Sequence, residues 1–172
     1  HIADVSHFVR ESSLLDKEAR ERGTSVYLAD RAIPMLPEKL SNDICSLKPF
    51  EDRFTLSVIM NINIKGTVKD YRFSKSIIRS KYRFSYKEVD RLLEEKNGKS
   101  AAFYADIKTM VELAAKMRKI RENRGYINFD FPELFIRLDK NGKVKSIERK
   151  ERRTSHRLIE EFMITTNEVI AA

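Results

Sequence analysis

An alternating segment over residues 54–64 constrains the fold of this chain more than any other feature. Its even-numbered positions are all apolar: Phe54, Leu56, Val58, Met60, Ile62 and Ile64. Its odd-numbered positions are mostly polar: Thr55, Ser57, Asn61 and Asn63. Because successive side chains of a β-strand point to opposite faces, the pattern predicts a strand with a buried apolar face and a wet polar face. Lys65 and Gly66 can form a turn, and residues 68–78 can return as the antiparallel partner of a long hairpin.

Shorter patterns place the other elements. Strands are predicted over residues 2–9 and 24–28, and Ser13 and Gly23 can cap the two ends of a helix between them. Further predictions are helices over residues 86–96, 101–123 and 154–172 and a second hairpin over residues 127–147. Strands and helices that occur in blocks predict an α+β domain, a largely antiparallel sheet with packed helices.

The last helix carries a candidate polar site. Its predicted apolar stripe consists of Ile159, Phe162, Met163, Thr166 and Ile170. At about 100° per residue, Glu160 and Asn167 fall within about 20° of each other beside that stripe, with His156 one turn before Glu160. Glu161 and Glu168 point to the opposite side, which we expect to face solvent. The polar line can hydrogen-bond a ribose hydroxyl, and it can equally be a satisfied structural network.

The charge balance favours an anionic partner. Lys and Arg total 34 against 26 Asp and Glu, a net charge of +8 that attracts phosphates, acidic proteins or anionic lipids. Three basic groups stand out: Lys75, Arg79, Lys81, Arg83 and Lys87; Lys116, Arg118, Lys119, Arg121 and Arg124; and Arg149, Lys150, Arg152, Arg153 and Arg157. Aromatic residues among these charges suit single-stranded RNA, because base stacking on an exposed ring tolerates any sequence. Solvated charged faces and aromatic core residues are the alternative interpretation.

Several function classes find no support in the sequence. Cys45 is the single cysteine, which excludes an internal disulfide. No stretch approaches the roughly 18 apolar residues of a spanning helix, and no signal peptide is evident, so we expect a cytoplasmic protein without a membrane partner. The carboxylates are scattered rather than clustered as a two-magnesium phosphodiesterase site requires, and no nucleophile motif occurs.

Ordered sequence motifs resemble the catalytic domain of the RNB-type exoribonucleases, the family of ribonuclease R and ribonuclease II. They are residues 1–6 (HIADVS), 23–27 (GTSVY), 33–37 (IPMLP), 40–47 (LSNDICSL) and 158–163 (LIEEFM), followed by Asn167. The resemblance covers nearly the whole chain. The Gly23-Thr24-Ser25 run favours ribonuclease R over ribonuclease II.

This resemblance implies processive, metal-dependent hydrolysis of RNA from its 3′ end, with release of nucleoside monophosphates. Tyr27 matches the family tyrosine that stacks on the 3′-terminal base and sets the size of the final product. Tyr86 and Glu160 match contacts to the terminal nucleotides, where ribose is told from deoxyribose. Phe129 matches a second aromatic residue that clamps the end bases, and Phe131 is the alternative for that position.

Two family motifs are missing from the sequence. In the family, the magnesium-binding aspartates precede the His-Ile-Ala-Asp segment, and an arginine-rich motif at the scissile phosphate follows the paired glutamates. We therefore expect residues 1–172 to be an incomplete RNB-type catalytic domain, an internal piece that contacts a single-stranded RNA 3′ end. It would contain no catalytic or metal-binding residue of its own, and magnesium would be bound mainly upstream. The alternatives are a non-catalytic single-stranded RNA-binding module and a protein-interaction domain with a basic face.

Overall fold

The computed structural model describes residues 1–95, 101–127, 134–149 and 152–172. The strands are β1 (Ile2–Ala3), β2 (Val26–Tyr27), β3 (Ala32–Ile33), β4 (Asp52–Ile62), β5 (Val68–Arg79), β6 (Leu134–Leu138) and β7 (Val144–Arg149). The α-helices are α1 (Val5–Phe8), α2 (Leu14–Arg22), α3 (Tyr86–Glu95), α4 (Tyr104–Asn123) and α5 (Thr154–Ala171). A π-helix covers Lys39–Ile44, and a 3-10 helix, Ala101–Phe103, precedes α4. This combination of helices with small antiparallel sheets confirms the predicted α+β class.

The described residues form two compact units. The first contains residues 1–57, 73–83 and 134–149, and the second contains residues 58–72, 84–95, 101–127 and 152–172. Among these residues, no helix combines the length and the apolar character needed to cross a bilayer.

A three-stranded sheet lies in the order β1-β4-β5, and its β4-β5 pair confirms the predicted long hairpin. Strand β1 pairs antiparallel with β4, with Ile2 opposite Leu56. The hairpin turn is fixed by Asn63, whose side-chain oxygen accepts hydrogen bonds from the backbone N–H groups of Lys65 and Thr67, both at 3.0 Å. Gly66 has φ +89, and a Cβ there would lie only 3.0 Å from Lys116 Cβ. A glycine is therefore required in this turn both for its backbone conformation and for its close approach to α4.

The predicted burial of β4 is wrong in its first half. Thr55 and Ser57, expected on the wet face, are 0% and 2% exposed, whereas Phe54 and Leu56 are 43% and 45% exposed. The buried hydroxyls satisfy one another, since Thr55 Oγ1 lies 2.8 Å from Ser76 Oγ and Ser57 Oγ also hydrogen-bonds Ser76. Buried polar groups are tolerated where they pair in this way. Alternation located the strand but assigned the wrong face to the interior in its first half. In the second half, Val58, Met60 and Ile62 are less exposed than Ile59 and Asn61, as predicted.

The first strand is shorter than the strand predicted over residues 2–9. Strand β1 ends at Ala3 because Asp4 caps helix α1, its carboxylate accepting hydrogen bonds from the Ser6 hydroxyl (2.5 Å) and the His7 backbone N–H (3.2 Å). The Ser6 hydrogen bond, followed by the charge of Lys75, lowers the pKa of this carboxyl. An aspartate within an apolar run is a capping signal that the strand prediction overlooked.

Local capping signals are confirmed elsewhere. The Ser13 hydroxyl accepts a hydrogen bond from the Asp16 backbone N–H at the start of α2, and Gly23, with φ +68, ends that helix. Hairpin β6-β7 turns at Asp139, whose carboxylate accepts backbone hydrogen bonds from Asn141 and Lys143 at 2.8 and 2.9 Å.

Helices α3, α4 and α5 pack on one another in the second unit. Their buried apolar residues are Leu92, Ile107, Ala114, Met117, Leu158 and Val169. The predicted stripe of α5 is partly wrong, because Ile159, Met163 and Ile170 are 39%, 60% and 53% exposed. The buried residues of α5 are instead Ser155, Leu158, Glu161 and Val169. Because two of these four buried residues are polar, specific contacts as well as hydrophobicity orient this helix.

Candidate nucleic-acid interface

An aromatic stack joins the first residue of α3 to the first turn of α5. The Tyr86 ring lies parallel to the His156 ring, with centroids 4.1 Å apart and an interplanar angle of 19°. The start of α3 is fixed by a capping box, in which the Ser85 N–H donates to Glu88 at 2.6 Å and the Glu88 N–H donates to the Ser85 hydroxyl at 3.3 Å. Tyr86 remains 46% exposed, so its ring is held in place while part of it faces solvent.

The N-terminus of α5 is capped by a residue from α3. Asp90 is 7% exposed, and its Oδ1 accepts a hydrogen bond from the Ser155 backbone N–H at 3.1 Å. Within the described residues, Asp90 Oδ2, Ser155 Oγ and His156 Nδ1 are buried without a hydrogen-bond partner. A carboxylate at a helix N-terminus is stabilised by the unpaired N–H groups and the helix dipole. Asp90 therefore fixes the end of α5 that carries His156.

Glu160 lies one helical turn after His156 and is paired with Arg152. Both carboxylate oxygens accept close hydrogen bonds from a single nitrogen, Arg152 Nη2. The Glu160 side chain is 30% exposed, so the pair is reachable from solvent. The hydrogen bonds to Glu160 raise the pKa of Arg152 above its ordinary value.

The neighbouring Glu161 is buried. The helical spacing in the sequence had predicted that it faces solvent, and this prediction is wrong. The Glu161 side chain is 4% exposed, and Arg121 of α4 donates to both of its oxygens, Nη2 to Oε1 at 2.6 Å and Nε to Oε2 at 3.1 Å. This two-nitrogen pair raises the pKa of Arg121. The prediction failed because it assigned the interior to apolar residues, whereas a glutamate can be buried where an arginine pairs with it.

Tyr126 connects the two ion pairs. The Arg121 guanidinium lies over the Tyr126 ring, 3.7 Å from its centroid. Tyr126 also contributes to the raised pKa of Arg152, after Glu160. The sequence suggested Arg121 and Arg152 as phosphate contacts or as members of solvated charged faces, and it gave no signal that Arg121 would lie over a tyrosine ring.

The remaining predicted site residues are distributed as follows. Tyr27 ends β2, opposite Ala32 of β3, and is 81% exposed. Asn167 is exposed on α5. Phe129 and its alternative Phe131 lie outside the described residues. The structure thus brings Tyr86, His156 and Glu160 into one local arrangement in the second unit, while Tyr27 belongs to the first unit.

Much of the charge in the second basic group is neutralised within the second unit. Arg118 pairs with Glu122 at 2.8 Å and Arg124 pairs with Glu168 at 3.1 Å. Lys116 and Lys119 are exposed on the same helix. Paired and exposed cations therefore occur side by side on α4, and contact of the exposed ones with phosphates stays a prediction.

A divalent-metal site does not fit the described residues. No group of three or more His, Cys, Asp or Glu side chains within them is placed to bind one ion. Because a phosphodiesterase site of the magnesium type needs several converging carboxylates, no metal-dependent step can be assigned to these side chains.

The fold and the motifs define a known class of domain. All 172 residues match the family model described as RNB domain, so the chain belongs to the RNB domain family. This confirms the resemblance drawn from the sequence motifs.

Within the RNB domain family, several similar proteins are named ribonuclease R. Ribonuclease R of Thermotoga maritima is 48% identical over 99% of this chain and 24% of its own length, and ribonuclease R 2 of Lactococcus lactis is 43% identical over 99% and 27%. Mycoplasma genitalium RNase R, solved in complex with ribose methylated single-stranded RNA, superposes with a TM-score of 0.93 at 31% identity, covering 98% of this chain and 27% of that one. The chain spans about a quarter of the length of these relatives.

Proposed function

We propose that this chain is the RNA-end-holding part of a processive 3′→5′ exoribonuclease that hydrolyses RNA to nucleoside monophosphates in the cytoplasm. The observation that carries the proposal is the arrangement of Tyr86, His156 and Glu160. The half-exposed Tyr86 ring is stacked on the His156 ring, and the partly exposed Glu160 carboxylate lies one helical turn after His156. Rings stack on bases of any sequence, and a carboxylate can accept a hydrogen bond from a ribose 2′-hydroxyl, which DNA lacks.

Each predicted contact has a separate role in this proposal. Tyr27 stacks on the 3′-terminal base, and its 81% exposure leaves the ring accessible. Tyr86 and Glu160 contact the terminal nucleotides and favour ribose over deoxyribose. Phe129 is the second aromatic clamp. The partner is the single-stranded 3′ end of an RNA.

The chemistry of bond cleavage is assigned to a metal held mainly by residues outside these 172, and we propose magnesium. When bound, the metal would supply an activated water and neutralise charge at the phosphate. Residues of this chain hold and orient the RNA end, and none of them is proposed as a catalytic group. Purified alone, the chain should therefore release no nucleotides from RNA in magnesium, and magnesium-dependent release would overturn this division of labour.

The role of Tyr27 is tested by the size of the final product. Tyr27→Ala in the full enzyme should lengthen the smallest product, because it removes a stack worth about 1–3 kcal/mol while leaving the metal chemistry in place. Tyr27→Phe is the matched control, since it keeps the ring. Products would be resolved on a denaturing gel, and an unchanged smallest product in Tyr27→Ala would count against the assignment.

The alternative function, a non-catalytic RNA-binding module, is not favoured, because relatives with similar sequences and folds are named ribonuclease R or RNase R. The uneven distribution of charge, with exposed Lys116 and Lys119 beside paired arginines, favours salt-dependent binding under either function. The two are separated by degradation assays on the full enzyme, because a binding module would retain RNA affinity without releasing nucleotides under any metal condition.

A further inference from the structure

The ion pair between Arg152 and Glu160 leaves the carboxylate able to accept a hydrogen bond from a hydroxyl group. Among the described residues, Arg152 Nη2 contacts both oxygens of the carboxylate. An ionised carboxylate has about four lone-pair positions, more than a single arginine nitrogen can occupy. With 30% of the Glu160 side chain exposed, a ligand hydroxyl can reach the remaining positions.

The surroundings of Arg152 limit its movement. Its side chain is only 34% exposed, and its guanidinium is paired with Glu160. Tyr126, which after Glu160 raises the pKa of Arg152, lies under the guanidinium of Arg121, and Arg121 is fixed by the buried Glu161. Glu160 is consequently held by a partly buried guanidinium.

The charges of this network cancel. Arg152 with Glu160 and Arg121 with Glu161 form two ion pairs, each neutral in itself. A neutral network offers little attraction to a phosphate, whose binding needs uncompensated positive charge. The accessible chemistry is therefore that of an oriented hydrogen-bond acceptor rather than that of a phosphate-binding arginine.

We infer that Arg152 is a positioning residue for sugar recognition: it holds the Glu160 carboxylate in the orientation that accepts a hydrogen bond from the 2′-hydroxyl of a terminal ribose. This inference rests on the proposed function, in which Glu160 contacts that ribose. It assigns to Arg152 a role distinct from the phosphate contact that its position in a basic cluster suggested.

Equilibrium binding tests the inference without cleavage. Affinities of the protein for an RNA, a DNA and a 2′-O-methyl RNA of the same sequence would be measured in EDTA by fluorescence anisotropy. The variants are Glu160→Gln, Arg152→Gln, Arg152→Lys and the double variant Glu160→Gln/Arg152→Gln. Arg118→Gln is the control, because Arg118 also pairs with a glutamate at its helix surface.

The informative quantity is the ratio of RNA affinity to DNA affinity. Glu160→Gln should lower it by about 10-fold, the effect of one hydrogen bond to a charged group. Arg152→Gln should lower the ratio by a similar factor, and the double variant should be no worse than either single variant because the residues act as one unit. Arg152→Lys should restore part of the ratio by keeping the charge. Arg118→Gln should leave the ratio unchanged, even if it weakens RNA and DNA binding alike.

The outcomes separate the two proposals. If Glu160→Gln lowers the ratio while Arg152→Gln and Arg152→Lys both match the original protein, the positioning role is overturned and the role of Glu160 stands. If Arg152→Gln weakens RNA and DNA equally and reduces the salt dependence, Arg152 is a phosphate contact and the inference is wrong. If Glu160→Gln leaves the ratio unchanged, the ribose contact in the proposed function fails. Circular dichroism of each variant would identify loss of folding, and Arg152→Lys keeps the test valid if Arg152→Gln unfolds.

Discussion

The two sides of helix α5 carry neighbouring glutamates that are partnered in different ways. On the side packed against α4, two nitrogens of Arg121 bind Glu161, which is 4% exposed. On the other side, one nitrogen of Arg152 binds Glu160, which is 30% exposed. The same residue type is thus a buried partner of an arginine at one position and a partly exposed hydrogen-bond acceptor at the next. The number of donors and the exposure of the carboxylate, and not its charge, distinguish the two glutamates.

Glu161→Ala should give the largest effect on this comparison. It leaves Arg121 charged and without its carboxylate in a largely buried position, a change that typically costs about 3–5 kcal/mol of unfolding free energy. Urea denaturation followed by circular dichroism measures the loss. Glu168→Ala is the control, since Glu168 forms an exposed pair with Arg124 and its removal should cost under about 1 kcal/mol. Equal losses in the two variants would remove the distinction between buried and open pairs.

Asp90→Ala should have an intermediate effect, because it removes the cap that α3 provides for the N-terminus of α5. Loss of an N-terminal capping group costs about 0.5–2 kcal/mol. Asp90→Asn keeps a side-chain oxygen and should recover most of that stability. Thermal denaturation of both variants gives the comparison, and a fully stable Asp90→Ala protein would show that α5 does not depend on this cap.

Glu160→Ala should have the smallest effect on stability, under about 1 kcal/mol, because its ion pair is partly exposed to solvent. Its effect should appear instead in binding, as a loss of discrimination between RNA and DNA. Stability and the affinity ratio would be measured on the same preparation. A large loss of stability without a change in the ratio would place Glu160 with Glu161 as a structural residue.

Residues close together in sequence explain most of the successful fold predictions. The Ser13 and Gly23 signals located helix α2, and the Asp139 turn located the second hairpin. The family motifs identified the RNB domain, because ordered motifs retain information that composition lacks. The choice of Glu160 over Glu161 as the functional candidate remains a prediction, although its stated reason, that Glu161 faces solvent, was wrong.

The errors arose where burial depends on a distant partner. Thr55 is buried because it meets Ser76, 21 positions away, and Glu161 is buried because it meets Arg121, 40 positions away. A periodicity argument assigns the interior to apolar residues, so it cannot anticipate a polar residue whose partner comes from another element. The pairing of Arg152 with Glu160 was missed for the same reason.

The sequence by itself determined the helices, the hairpins and the family, because capping, turn formation and motif spacing act over a few residues. The tertiary structure decided which face of β4 and of α5 is buried and which of two adjacent glutamates can reach a ligand. That decision depends on hydrogen-bond partners brought together by folding, since a buried charge is stable only where another chain segment neutralises it.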